Sequence, residues 1–84
     1  MNHRHVQYKD VTKDMTIHMG LKNYPYVFLS CSYDNTYFGM IAWDEHIEQY
    51  CFFPITGEQI KMPAQILWEV YEKTYSLMAD RKLN

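Results

Sequence analysis

The side chains of this sequence that could do chemistry are four histidines, two cysteines and one acidic run. The run Asp44-Glu45-His46-Ile47-Glu48 sets one imidazole among three carboxylates, the donor types of a metal site or an acid–base pair. No second histidine or cysteine stands at ligand spacing, and nothing in the sequence fixes the geometry of the group, so it reads as a solvated connection. His3-Arg4-His5 reads as part of a flexible tail over residues 1–5, and His18 as a solvent-facing polar residue. A catalytic thiol needs an electropositive, partly exposed setting with a base beside it. Cys31 and Cys51 lie instead in apolar runs. Three isolated glycines provide no phosphate-binding loop. No catalytic residue, metal ligand or cofactor is therefore expected, and the enzymatic alternative is a small hydrolase or nuclease around His46.

The elements that position these residues follow from periodicity. Ile66, Leu67, Val70, Tyr71, Thr74, Leu77 and Met78 recur at steps of three and four, which predicts an amphipathic helix over residues 63–79 with Pro63 in its first turn. Glu69 and Lys73 are spaced as a helical ion pair. Trp68 and Tyr75 fall on the edge of that stripe, as half-buried or as contact residues. Residues 26–33, 36–43 and 48–53 are rich in strand formers. Asp34-Asn35 suits a two-residue primed turn, Pro54 ends the third strand and Thr56-Gly57 marks a turn. Residues 15–21 alternate as a strand does, while Val11, Met15, His18 and Met19 also fit a short helix from Thr12. We take the strand, and note a further short strand around Val6 and Tyr8. The fold class is then α+β: an antiparallel meander of three to four strands packed on one C-terminal helix, in a single domain of residues 1–84.

A tight Asp34-Asn35 turn pairs Cys31 with Phe38 and Leu29 with Met40, and a four-residue second loop pairs Phe38 with Phe53 and Met40 with Cys51. One sheet face is then Val27, Leu29, Cys31, Phe38, Met40, Cys51 and Phe53, the expected seat of the helix. The other face carries Tyr26, Phe28, Ser30, Ser32, Tyr37, Gly39, Ile41, Trp43, Tyr50 and Phe52, with the Phe52 ring over Gly39. In this register the cysteines sit two strands apart, roughly 9–10 Å, beyond a disulfide's reach of about 7 Å. Both read as small core residues.

Eight tyrosines among 84 residues exceed what one small core can hide with every hydroxyl satisfied. The net charge is −2, with the basic residues at both ends and Asp34, Asp44, Glu45, Glu48 and Glu58 between Lys22 and Lys61. That distribution argues against nucleic acid as a partner. No apolar run reaches membrane-spanning length, and the first eight residues lack the apolar core of a signal peptide, so a cytoplasmic setting is expected. The open aromatic face and the acidic connection are the expected partner surface: Tyr37, Trp43, Asp44, Glu45, Glu48, Tyr50 and Phe52. The expected occupant is a protein, of basic character opposite the acids, or a second copy of the chain in a structural or regulatory homodimer.

Gly39-Met40-Ile41-Ala42-Trp43, then Tyr50-Cys51-Phe52-Phe53-Pro54, then a helix, resembles a pattern in small uncharacterised phage and prophage proteins. The resemblance covers residues 39–78. In those proteins the connection between the two motifs is often basic and aromatic, whereas here it is acidic. The resemblance implies a virus-encoded accessory protein in the host cytoplasm. Together with the aromatic surface it leads to the expectation of a non-enzymatic inhibitor of a host or defence protein, of the anti-CRISPR type, acting by steric occlusion.

Overall fold

The computed structural model describes residues 5–55 and 62–82, with side chains through residue 80. The Thr56-Gly57 turn, Glu58, Lys61 and His3 lie outside the described residues. Six elements follow in order: β1 (Gln7–Asp10), α1 (Thr12–Met19), β2 (Leu29–Tyr33), β3 (Thr36–Asp44), β4 (Gln49–Pro54) and α2 (Ala64–Lys82). The strands form one antiparallel meander in the order β1-β2-β3-β4, with α2 packed on one face. This is the expected α+β class.

The first strand is not residues 15–21 but β1, and residues 12–19 are helix. The termini decide this. The Asp10 carboxylate accepts from Thr12 N at 2.9 Å, and the Thr12 hydroxyl accepts from Phe28 N at 3.0 Å. At the other end Gly20 takes φ 68°, the left-handed conformation that glycine adopts without strain. Gly20 N then donates to Ile17 O and Leu21 N to Thr16 O, the paired bonds that close a helix C-terminus. No residue of α1 is buried, so the alternation of Met15, Ile17 and Met19 reflects no buried face.

The β2–β3 turn forms as expected. Asp34 (φ 52°) and Asn35 (φ 62°) are both left-handed, and Tyr33 pairs with Thr36. The register then changes. Ser32 pairs with Tyr37, but Cys31 pairs with Gly39, so Phe38 is an extra residue in a β-bulge. One inserted residue exchanges the faces of everything beyond it relative to β2. Leu29, opposite Ile41 rather than Met40, now shares its face with Cys31, Ile41 and Trp43. The β3–β4 loop is residues 45–48, so Asp44 pairs with Gln49 and Trp43 with Tyr50. That is two residues from the expected register, which leaves the relative facing of these two strands unchanged.

The core therefore contains side chains expected on the open face. Val6, Leu29, Cys31, Phe38, Ile41, Trp43 and Tyr50 pack with Ile66 and Val70 of α2. Phe38 is buried as expected, because both it and the Gly39 position beside it face the Phe52 ring. A Cβ at Gly39 would overlap that ring and lie 2.7 Å from Phe53 O. The opposite face carries Ser30, Ser32, Met40, Ala42, Cys51 and Phe53. Of these Ala42 is buried and Phe53 exposed.

Helix α2 begins where Pro63 O accepts from Leu67 N at 3.1 Å, and it continues through residue 82 rather than fraying after 79. Ile66 and Val70 enter the core, and Leu77 and Met78 pack against it. Glu69 accepts from Val6 N and from Gln65 Nε2, both at 3.0 Å, and lies 3.4 Å from His5 Nδ1. Lys73 extends over the Tyr8 ring, 5.1 Å from its centroid. The expected Glu69–Lys73 pairing is thus replaced by contacts that fasten the N-terminal segment to α2.

Candidate functional site

The acidic run is turn chemistry. The Asp44 carboxylate accepts from His46 N at 2.8 Å, which closes the chain reversal. Glu48 takes φ 55° at its last position. His46, Glu45 and Glu48 are exposed, Asp44 is half-buried and Ile47 projects from the tip. Among the described residues no three His, Cys, Asp or Glu side chains converge to hold a metal. No buried side-chain nitrogen or oxygen there lacks a hydrogen-bond partner.

The thiols are both free, on opposite faces of the sheet. Cys31 is fully buried, and burial pushes its thiol up to about 11. Cys51 is half-buried beside Ala42, not in the core, and burial together with the Asp44 charge raises its pKa. Neither is poised as a thiolate nucleophile.

The expected aromatic partner face is mostly interior. Trp43 is 7% exposed. Tyr26 stacks on it with ring centroids 4.1 Å apart and planes 3° apart, and Tyr50 meets it edge-on at 5.3 Å. The Tyr50 hydroxyl accepts from Val27 N at 3.1 Å, and Tyr50 N lies 3.3 Å from Met78 Sδ on α2. These contacts make Trp43 and Tyr50 structural residues, and Phe52 is half-buried over Gly39. Of the expected set only Tyr37, Glu45 and Glu48 are exposed. The cause is the Phe38 bulge, which turned this face toward the helix.

The exposed aromatic surface lies on the outward side of α2. Trp68 is 58% exposed, and Leu67, Tyr71 and Tyr75 are each more than half exposed. Trp68 and Tyr71 stack at 5.7 Å, and Tyr71 and Tyr75 at 6.1 Å with planes 8° apart. Ala64, Leu67, Trp68 and Tyr71 line a shallow apolar groove at the start of this ladder. At about 100° per residue, Ala64, Leu67, Trp68, Tyr71 and Tyr75 occupy roughly a third of the helix circumference, away from Ile66 and Val70. Gln65, Glu69, Glu72, Lys73, Ser76 and Asp80 make the polar flank. The apolar residues form one wide arc, part of it against the sheet and part exposed. Leu67 and Tyr71, expected in the buried stripe, belong to the exposed part. The steps of four, three and four through Ala64, Trp68, Tyr71 and Tyr75 were the available signal, since an arc this wide cannot all face the sheet.

Among the described residues no helix is long and apolar enough to cross a membrane. No protein-family model, curated protein or solved structure matches this chain.

Proposed function

We propose that this chain is a non-enzymatic protein-binding module whose docking face is the outward stripe of α2. The observation that carries the reading is the Trp68–Tyr71–Tyr75 ladder, held on a helix that the sheet fixes from its other side. Burying a large apolar side chain is worth about 1.5–3 kcal/mol, and this helix leaves four of them in water. Tyrosine and tryptophan are the residue types that dominate binding hot spots. The stripe is preorganised, so docking orders little beyond side-chain rotamers. Glu45 and Glu48, exposed in the β3–β4 turn, add negative charge that favours a basic partner. The mode of action is occlusion of the surface the stripe covers. The resemblance of the 39–54 hairpin to phage and prophage proteins extends the reading to a virus-encoded inhibitor of a host or defence protein.

A photoreactive residue in place of Tyr75 tests this. Protein adducts are expected in producing cells from position 75, and far fewer from Tyr37 or Phe53, which are exposed elsewhere. Equal yields at the three positions, or none at 75, would contradict the reading.

A further inference from the structure

We infer that residues 5–10 form an acid-released strap, held at each end by one carboxylate and able to leave α2 while the rest of the fold persists.

The first observation is where the strap is fastened. At its start the Glu69 carboxylate of α2 accepts from Val6 N at 3.0 Å. At its end the Asp10 carboxylate accepts from Thr12 N at 2.9 Å, where the chain passes from β1 into α1. A backbone amide that donates to an ionised carboxylate makes a charge-assisted bond, stronger than one to a neutral oxygen. Both ends of one short strand thus depend on ionised acids. A third bond of this type, from His46 N to Asp44, lies inside the β3–β4 turn and joins no two elements.

The second is the setting of the two acids. Gln65 Nε2 donates to the other Glu69 oxygen at 3.0 Å, and His5 Nδ1 lies 3.4 Å away. Tyr8 of β1 donates its hydroxyl to the Glu69 carbonyl at 3.0 Å, with Lys73 over its ring, and Glu72 adds a negative charge near Tyr8. Burial opposes ionisation of Glu69, but the bonds from Gln65 and Val6 N, with His5, outweigh it and hold the carboxyl below its ordinary value. The bonds from Thr12 do the same for Asp10. With both folded values lowered, the fastening is complete above the ordinary carboxylate range of about 4 and is lost as pH falls through the folded values.

The third is how little else holds the segment. Strand β1 ends the sheet and pairs only with β2. Gln7, Lys9 and Asp10 are exposed, and Val6 is the one buried residue of the strap. The Tyr26–Trp43–Tyr50 cluster and its packing on Ile66 and Val70 use no ionised group, so acid leaves them in place. Tyr8 stands opposite Cys31 in the ladder, on the core side. A departing strap therefore opens the fully buried Cys31 thiol along the edge of β2.

Labelling with a dipyridyl disulfide, whose protonated form reacts with thiols in acid, tests the inference between about pH 7 and pH 3. Cys51, half-buried on the opposite face, is the internal reference. The ratio of Cys31 to Cys51 labelling is expected to rise by about tenfold or more on acidification, with the helical circular dichroism unchanged. In the double variant Glu69→Gln, Asp10→Asn the ratio is expected to be raised already at neutral pH and to respond little to acid. Asp44→Asn is expected to behave as the parent. Cys31 labelling that rises only in step with loss of the circular dichroism is global unfolding and overturns the inference. A ratio that stays flat overturns it too, as does a double variant that keeps the parent's response. Should the double variant not fold, Asp10→Asn alone, altered only at an exposed residue, is expected to show a smaller shift in the same direction, and no shift overturns the strap.

Discussion

Trp43 and Trp68 are the same residue type in opposite circumstances, and their contexts fix what each substitution does. Trp43 is caged by Tyr26 and Tyr50, so Trp43→Ala opens a cavity and is expected to cost about 3–5 kcal/mol. A chain of 84 residues has on the order of 4–12 kcal/mol in total, so this variant should be largely unfolded by urea titration at modest denaturant. Trp68→Ala removes a solvent-exposed ring and is expected to change stability by less than about 0.5 kcal/mol in the monomer. The thiols differ likewise. At pH 8 alkylation followed by mass spectrometry is expected to modify Cys51 in the native protein, and Cys31 only after denaturant exposes it. Equal native reactivity would place Cys31 outside the core. The chemistry of single residues was legible where it depended on type: the acidic run reads as a connection, and the structure shows it as a turn. Which aromatic faces inward was not legible, because that depends on one unpaired residue, Phe38, inserted where a regular ladder also satisfies the alternation.

At the scale of elements, the strongly periodic segments were readable and the weakly periodic one was not. The Asp34-Asn35 hairpin and α2 follow from turn chemistry and helical spacing. Residues 12–19 bury nothing, so their apolar pattern carries no packing information. Their real signals are the ends: Thr12 bonded to both Asp10 and Phe28, and Gly20 in the left-handed region. Gly20→Ala meets open space but must hold a positive φ, so it is expected to destabilise by about 1 kcal/mol. Denaturant unfolding with an unchanged m-value checks this. A neutral result would mean that α1 does not end in the left-handed conformation. For α2 the apolar arc is wider than the sheet covers. A helix read as having one apolar stripe merges residues that the structure separates into a sheet-facing set and an outward set.

Across the whole molecule, the N-terminal segment and α2 hold one another through Glu69. Burial alone would raise its pKa, but hydrogen bonds from Gln65 and Val6 N, with His5 nearby, outweigh this and hold the carboxyl below its ordinary value. Asp10 is lowered by its bonds from Thr12. Both groups bind protons more weakly folded than unfolded. Their contribution is therefore complete above the ordinary carboxylate range and is lost as pH falls through the folded values. The melting temperature is expected to fall on acidification below about pH 5, and less steeply in Glu69→Gln than in the parent chain. Parallel curves would show that Glu69 is not a native contact. This fastening leaves the outer side of α2 uncovered while the sheet occupies the inner side. None of it was visible from periodicity, because it joins residues more than sixty positions apart.

The sheet face that carries Trp43 is core, and the outward part of α2 is surface. Acrylamide quenching of tryptophan fluorescence distinguishes the two environments. In Trp68→Phe the remaining Trp43 is expected to emit blue-shifted light and resist quenching. The difference between parent and variant, which reports Trp68, is expected to be red-shifted and readily quenched. A Trp43 quenched as freely as tryptophan in water would contradict the account, because it would return the Trp43 face of the sheet to solvent.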